Sequence, residues 1–128
     1  MTSKLVRMQQ AAAVFLGFSA VLHLIGAAFG LAVFEGRSLV AIAVLYFVLA
    51  SRLWRGARWA AYVVFIFMLI GGIGSWISSA SAVVVPIWVY RAISLADFLC
   101  VLCLIPVLWS NRADVVTQPK QAEKGAAL

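Results

Sequence analysis

Four long apolar runs, separated by short polar breaks, account for most of the chain. A bilayer core of about 30 Å is crossed by roughly 20 helical residues, and each run approaches or exceeds that length. The pattern therefore predicts an all-α fold, a polytopic integral membrane protein built as a four-transmembrane-helix bundle. The predicted spans are 10–34, 38–55, 59–78 and 85–109, with the polar patch 35–38 as the first turn.

The ends of the runs carry residues that suit a membrane boundary. The second run is the shortest, and it reaches full length if Arg52 and Arg55 extend towards the headgroups and Trp54 lies in the interface. Trp59 marks the start of the third span in the same way. Pro86 opens the fourth span, where a first helical turn tolerates proline.

After Ser110 the chain changes to polar and charged residues. Such a composition cannot bury enough apolar surface to order itself. We therefore predict one transmembrane domain over residues 1–110, followed by a flexible cytoplasmic tail over 111–128.

The composition supports a membrane protein without a second domain. Hydrophobic residues make up 66% of the chain and charged residues 11%, whereas soluble domains are about half apolar and roughly a quarter charged. A bundle of four spans uses nearly the whole length. The lipid bilayer is thus the predicted environment, with a bacterial inner membrane as the default location.

The distribution of basic residues predicts the orientation, because cytoplasmic segments carry an excess of Lys and Arg. In a four-span protein, one side holds Lys4, Arg7, Arg52, Arg55, Arg58, Arg112, Lys120 and Lys124. The other side holds Arg37, and Arg91 lies at the outer end of the fourth span. Both termini are predicted to be cytoplasmic. Since this topology accounts for most of the net charge of +6, nucleic acid is not a predicted partner.

His23 in the first span and Asp97 in the fourth are ionisable residues within apolar runs. Each lies about twelve residues from the cytoplasmic end of its span, or about 18 Å at ~1.5 Å per residue. The two side chains could therefore meet as an intramembrane polar pair, with Ser19, Ser94 and Arg91 as possible supporting residues. Intramembrane ionisable groups often mark a proton relay or transport path.

The favoured interpretation is a structural role for the same residues. A hydrogen-bonded pair would hold the first and fourth spans together, or a protonated Asp97 would bond to Ser94 or to a backbone carbonyl. Arg91 is six positions from Asp97 and therefore lies about 120° around the helix. It is interpreted as an interfacial residue.

Small residues predict close helix packing in two spans. Gly26 and Gly30 form a GxxxG pattern on the face that carries Ser19 and His23. The third span has a comparable set, comprising Gly71, Gly72, Gly74 and Ser75. Packing inside one bundle is the favoured interpretation, with contacts between protomers as the alternative.

The sequence contains no complete catalytic, metal or cofactor motif. Cys100 and Cys103 form a CxxC, but both lie inside an apolar run, where small buried hydrophobes are the expected role. We predict no metal site, because the chain has one His and four acidic residues that do not form a cluster of ligands. We therefore predict no cofactor and no catalytic residue, and we expect the protein not to be an enzyme, with a membrane oxidoreductase or an enzyme acting on lipid as the alternative.

Two functional hypotheses remain. The first is a small non-enzymatic protein that binds a partner within the membrane, such as an accessory subunit or an immunity protein against a membrane-inserting toxin. The alternative is a proton-coupled transporter or channel subunit that uses His23 and Asp97 and becomes competent by self-association. The residues Arg52, Trp54, Arg55, Arg58 and Trp59 are interpreted as topology and interface anchors rather than as a lipid site.

Overall fold

Four helices make up the fold. The structure, a computed structural model, describes the backbone of residues 3–126 and the side chains of residues 3–110. The helices are α1 (Ser3–Gly30), α2 (Phe34–Trp54), α3 (Arg58–Ser79) and α4 (Ile87–Ala126), and residues 3–126 contain no strand. All four are long and apolar enough to cross a membrane, with Ile87–Ser110 as the apolar part of α4.

This architecture confirms the predicted all-α, four-span protein. The helices alternate in direction, because the first three are joined by connections of only three residues. We call the end of the bundle that carries Lys4, Arg7, Arg52, Arg55 and Arg58 the basic end. The predicted flexible tail, 111–128, lies outside the residues whose side chains are described.

The connection between α1 and α2 differs from the prediction. It lies at residues 31–33, and the polar patch predicted as the turn forms part of the first turns of α2. A Cβ at Gly36 would overlap the backbone carbonyl of Gly30, so this glycine allows α2 to begin directly against the end of α1. The Ser38 hydroxyl donates to the Glu35 carbonyl at 2.7 Å. The polar residues are thus accommodated within a helix, without a longer loop.

The connection between α2 and α3 closes with a glycine in the left-handed region. Gly56 has φ +83°. Its N–H donates to the Leu53 carbonyl at 3.0 Å, and the Ala57 N–H donates to the Arg52 carbonyl at 3.1 Å. These are the two bonds of a Schellman motif, which satisfies carbonyls at a helix end.

The helices do not contact one another equally. α1 packs against both α2 and α4, and α3 packs mainly against α4, whereas α2 and α3 touch only slightly. We call the region between α2 and α3 the α2–α3 seam. The order around the bundle is therefore α2, α1, α4, α3, with the seam as its least packed interface.

The buried apolar side chains form two clusters. The larger one fills the half nearest the basic end and draws on all four helices, with Leu16, Leu53, Met68 and Leu104 among its fully buried members. The smaller one fills the opposite half and includes Leu22, Leu39, Val89 and Ile93, but no residue of α3. A polar layer lies between the two clusters.

Candidate functional site

Asp97 lies at the centre of the polar layer, near the middle of the apolar part of α4. Its side chain is 0% exposed, as is that of Ser19 on α1. The Ser19 hydroxyl donates a hydrogen bond to Asp97 Oδ1 at 2.6 Å. This length is typical of a hydroxyl bonded to a carboxylate. The bond joins α1 to α4 in the interior of the bundle.

His23 lies one helical turn from Ser19 and does not bond to Asp97 directly. Its Nδ1 is 2.7 Å from the Ser19 carbonyl oxygen. Because a carbonyl can only accept, Nδ1 carries the hydrogen, which leaves Nε2 unprotonated when the ring is neutral. The predicted pair is thus corrected in one respect. The two ionisable residues share a cluster, but Ser19 is the hydrogen-bond partner of the carboxyl group.

Tyr46 on α2 completes the cluster and was not among the predicted site residues. Its ring packs edge-on against His23, with the ring centroids 5.0 Å apart and the planes at 72°. The available signal was a tyrosine in the middle of an otherwise apolar span. A hydroxyl at that depth needs a polar neighbour.

Two glycines bring α3 close to the carboxyl group. A Cβ on Gly71 would lie 2.9 Å from Tyr46 Oη and 3.1 Å from Asp97 Oδ2, so both oxygens face one small space beside this glycine. A Cβ on Gly72 would lie 3.3 Å from the Asp97 Cβ. The Ser94 hydroxyl donates to the Gly72 carbonyl at 2.8 Å and ties α4 to α3.

The second carboxyl oxygen of Asp97 is the least satisfied polar atom of the layer. Oδ2 is buried and has no hydrogen-bond partner among the described residues. A buried polar group left without a partner costs about 1–3 kcal/mol, and a charged one costs more. An acid in this setting can bind a proton at Oδ2 while Ser19 continues to hold Oδ1. Among the described residues, no three His, Cys, Asp or Glu side chains are grouped closely enough to hold a metal ion.

The other predicted packing residues are divided between the interior and the surface. A Cβ on Gly26 would lie 3.2 Å from side-chain atoms of Leu39 and Val89, so α1 uses this glycine inside the bundle. A Cβ on Gly30 would likewise lie 3.0 Å from a side-chain atom of Val84.

The small residues near the end of α3 are packed less closely. A Cβ on Gly74 would have nothing within 4 Å, and Ser75 is half-buried.

The predicted interface residues lie on the surface. All six of them are exposed, namely Arg52, Trp54, Arg55, Arg58, Trp59 and Arg91.

The two cysteines, Cys100 and Cys103, are free thiols. The Cys100 thiol is fully buried in the larger apolar cluster and donates to the Ala12 carbonyl at 3.3 Å.

Two further polar contacts lie near the ends of the bundle. The amide of Gln9 is buried and donates to the Leu53 carbonyl at 3.2 Å, which ties α1 to the end of α2. Gln9 follows the helical spacing of Leu16, Ser19 and His23, so the buried face of α1 could have been extended to it from the sequence. At the opposite end, the Tyr90 hydroxyl donates to Glu35.

Comparison with known proteins does not extend this description, because no family model, curated protein or solved structure matches the chain.

Proposed function

We propose that this protein is a small proton-coupled transport or channel subunit in which Asp97 takes up and releases a proton at Oδ2. The observation that supports the proposal is the unequal bonding of its carboxyl group. Oδ1 is held by Ser19, whereas Oδ2 is buried and without a hydrogen-bond partner in the described part of the chain. Ionisable groups within a membrane are costly and often mark proton relays.

The neighbouring side chains have distinct parts in this proposal. Ser19 fixes the orientation of the carboxyl group through Oδ1. Both oxygens face the space beside Gly71, so a movement of the Tyr46 side chain into that space would allow its hydroxyl to donate to the deprotonated Oδ2. His23 supports the Tyr46 ring by their edge-on contact, and its Nε2 offers a further acceptor.

The α2–α3 seam is the proposed route of access. Asp97 Oδ2 faces Tyr46 of α2 and Gly71 of α3, and these two helices form the least packed neighbouring pair of the bundle. Moving these helices apart breaks fewer contacts than opening any other neighbouring pair. Gly71 itself is only half-buried; in a single bundle its outer side faces lipid at this depth, so the proposed route needs a water-filled space on the outer side of the seam. Because four helices rarely enclose a wide path, we expect the working form to be self-associated.

The test is proton flux into liposomes that contain the purified protein and a trapped pH-sensitive dye, driven by a potassium diffusion potential. Asp97→Asn should abolish the flux, because the amide cannot exchange a proton at this position. Arg91→Gln is the matched control, since it also replaces a charged group by an amide on α4 but lies on the surface. Equal flux in the two variants and the wild type would contradict the proposal.

A second candidate function is binding of a partner protein within the membrane, as an accessory subunit or an immunity protein would do. The specific observation in its favour is the uncovered outer face of α3. Ile70, Gly74 and Ile77 follow helical spacing; the two isoleucines are 66% and 65% exposed, and Gly74 has free space around it. Small residues between larger ones allow close approach of another helix.

This second candidate is tested by crosslinking the tagged protein in its native membrane and identifying what is attached. Gly74→Leu should lose the partner, whereas Asp97→Asn should retain it. Recovery of the same protein by wild type and Gly74→Leu would exclude this face as the binding surface. Recovery of only further copies of the chain would favour the transport proposal.

A further inference from the structure

Two shallow grooves flank a single ridge of α4 at the basic end of the bundle. The ridge consists of Ile105 and Trp109, which line both grooves. The first groove runs between α1 and α4, includes Lys4, and has a volume of about 510 Å³. The second runs between α3 and α4, includes Tyr62, and has a volume of about 340 Å³. We call them the α1–α4 groove and the α3–α4 groove.

The walls of both grooves are mostly apolar. Leu5, Met8 and Pro106 line the α1–α4 groove, and Phe65 and Ile66 line the α3–α4 groove. The polar groups that border them belong to Lys4, Ser110 and Tyr62, all within the helical turns nearest the basic end. Each groove therefore combines an apolar floor at lipid depth with a polar group near the headgroup level.

We propose that this surface binds one anionic diacyl phospholipid, with one acyl chain in each groove and the phosphate at Lys4. The first observation in favour of this lipid is the ridge that the two grooves share. The two grooves lie side by side on one face of the bundle, as do the two chains of a single glycerolipid. Trp109 is 76% exposed on that ridge, and an amphipathic indole ring is well suited to the interface between chains and headgroups.

The second observation is the positive charge at the basic end, which complements an anionic headgroup. The basic end holds Lys4, Arg7, Arg52, Arg55 and Arg58, and the described residues contribute no acidic side chain there, because Glu35 and Asp97 lie elsewhere. Such an end attracts an anionic headgroup over a zwitterionic one. Lys4 differs from the arginines because it alone among these basic residues borders one of the two grooves.

This inference does not rest on the transport proposal. None of Ser19, His23, Tyr46 and Asp97 lines either groove. A lipid at this site would contact α1, α3 and α4 near the basic end and leave the polar layer untouched.

The experiment is native mass spectrometry of the full-length protein in detergent, titrated with phosphatidylglycerol or with phosphatidylcholine of the same acyl chains. We expect one phosphatidylglycerol to bind more tightly than the others and more tightly than phosphatidylcholine. Lys4→Gln should weaken it about fivefold, the contribution of one basic group near a headgroup. Arg52→Gln is the matched control, because it removes a positive charge at the same end but lines neither groove, and it should change binding less than twofold.

Ile105→Trp provides a second variant, since Ile105 lines both grooves and a larger side chain there obstructs the surface on which the two chains would lie. It should reduce binding of either lipid while the protein remains folded by circular dichroism. Equal binding of the two lipids, or equal loss in Lys4→Gln and Arg52→Gln, would overturn the proposal. So would a lipid-free dimer that Ile105→Trp dissociates, because the grooves would then hold a second copy of the chain.

Discussion

Among the described residues, the Asp97 carboxyl group has a hydrogen-bond partner at one oxygen only, and this asymmetry distinguishes the candidate site. Oδ1 receives the Ser19 hydroxyl at 2.6 Å, whereas Oδ2 faces the space shared with Tyr46. A group that serves only to hold helices together would be expected to satisfy both oxygens. The oxygen without a partner is the observation on which the proposed proton-binding role rests.

Ser19→Ala tests whether this hydrogen bond stabilises the bundle. The substitution leaves a buried carboxyl oxygen without its donor and should cost about 1–3 kcal/mol of unfolding free energy. Ser51→Ala is the control, because the Ser51 hydroxyl is exposed and bonds only to the Val48 carbonyl of its own helix. Denaturant unfolding in mixed micelles measures both. Equal stability of the two variants would show that the buried bond contributes nothing.

Gly71→Ala tests the space beside the carboxyl group. The new Cβ would come within 2.9 Å of Tyr46 Oη and 3.1 Å of Asp97 Oδ2, so one of these groups must shift. We expect a loss of about 1–3 kcal/mol from overpacking, together with reduced proton flux. Gly17→Ala is the matched control, since nothing lies within 4 Å of its Cβ position. Wild-type flux and stability in Gly71→Ala would show that the space has no role.

Part of the site could be predicted at the residue scale. His23 and Asp97 are conspicuous because ionisable groups are rare in apolar runs. The intervening role of Ser19 and the participation of Tyr46 depend on how each helix is rotated about its axis. Lipid is as apolar as a protein core, so the hydrophobic pattern of a span does not specify that rotation.

At the scale of elements, the start of α2 depends on a glycine rather than on the polarity of its neighbours. Polar residues at 35–38 predicted a turn, but the first turn of a helix also accommodates them, and an acidic residue there is favourable for the helix dipole. Glu35 occupies that turn. The close approach of Gly36 to Gly30 is a contact between backbones, which the sequence pattern does not reveal.

Gly36→Ala should therefore destabilise the α1–α2 pair. Its Cβ would overlap the backbone carbonyl of Gly30, which cannot move away as a flexible side chain could. We expect a loss of about 3 kcal/mol, at the upper end for overpacked positions. Gly74→Ala, with open space at its Cβ position, should instead be neutral or stabilising. Similar unfolding midpoints for the two variants would contradict the described junction.

At the scale of the whole molecule, the bundle consists of two apolar clusters separated by a polar layer. The number of spans and their approximate ends followed from hydrophobic runs of membrane length. The order α2, α1, α4, α3 could not be predicted, because lipid-facing and protein-facing sides are equally apolar and the short connections restrict only consecutive helices. The cytoplasmic location of both termini remains a prediction from the positions of the basic residues.

The weakly packed seam links this architecture to the proposed function. Asp97 Oδ2 lies towards the interface between α2 and α3, where the fewest contacts resist opening. In the half away from the basic end, α3 adds no residue to the apolar cluster. The bundle thus combines a firmly packed α1–α2–α4 unit with a third helix held mainly by α4, which suits a site that must open to exchange a proton.

Infrared difference spectroscopy of the protein in lipid bilayers, recorded as the pH is changed, tests directly whether Asp97 binds and releases a proton. We expect a carbonyl stretching band of a protonated carboxylic acid that appears as the pH falls and is absent from Asp97→Asn. Glu35→Gln is the control and should retain the band. A spectrum in which Asp97→Asn matches the wild type at every pH would show that Asp97 exchanges no proton and would exclude the proposed transport role of this residue.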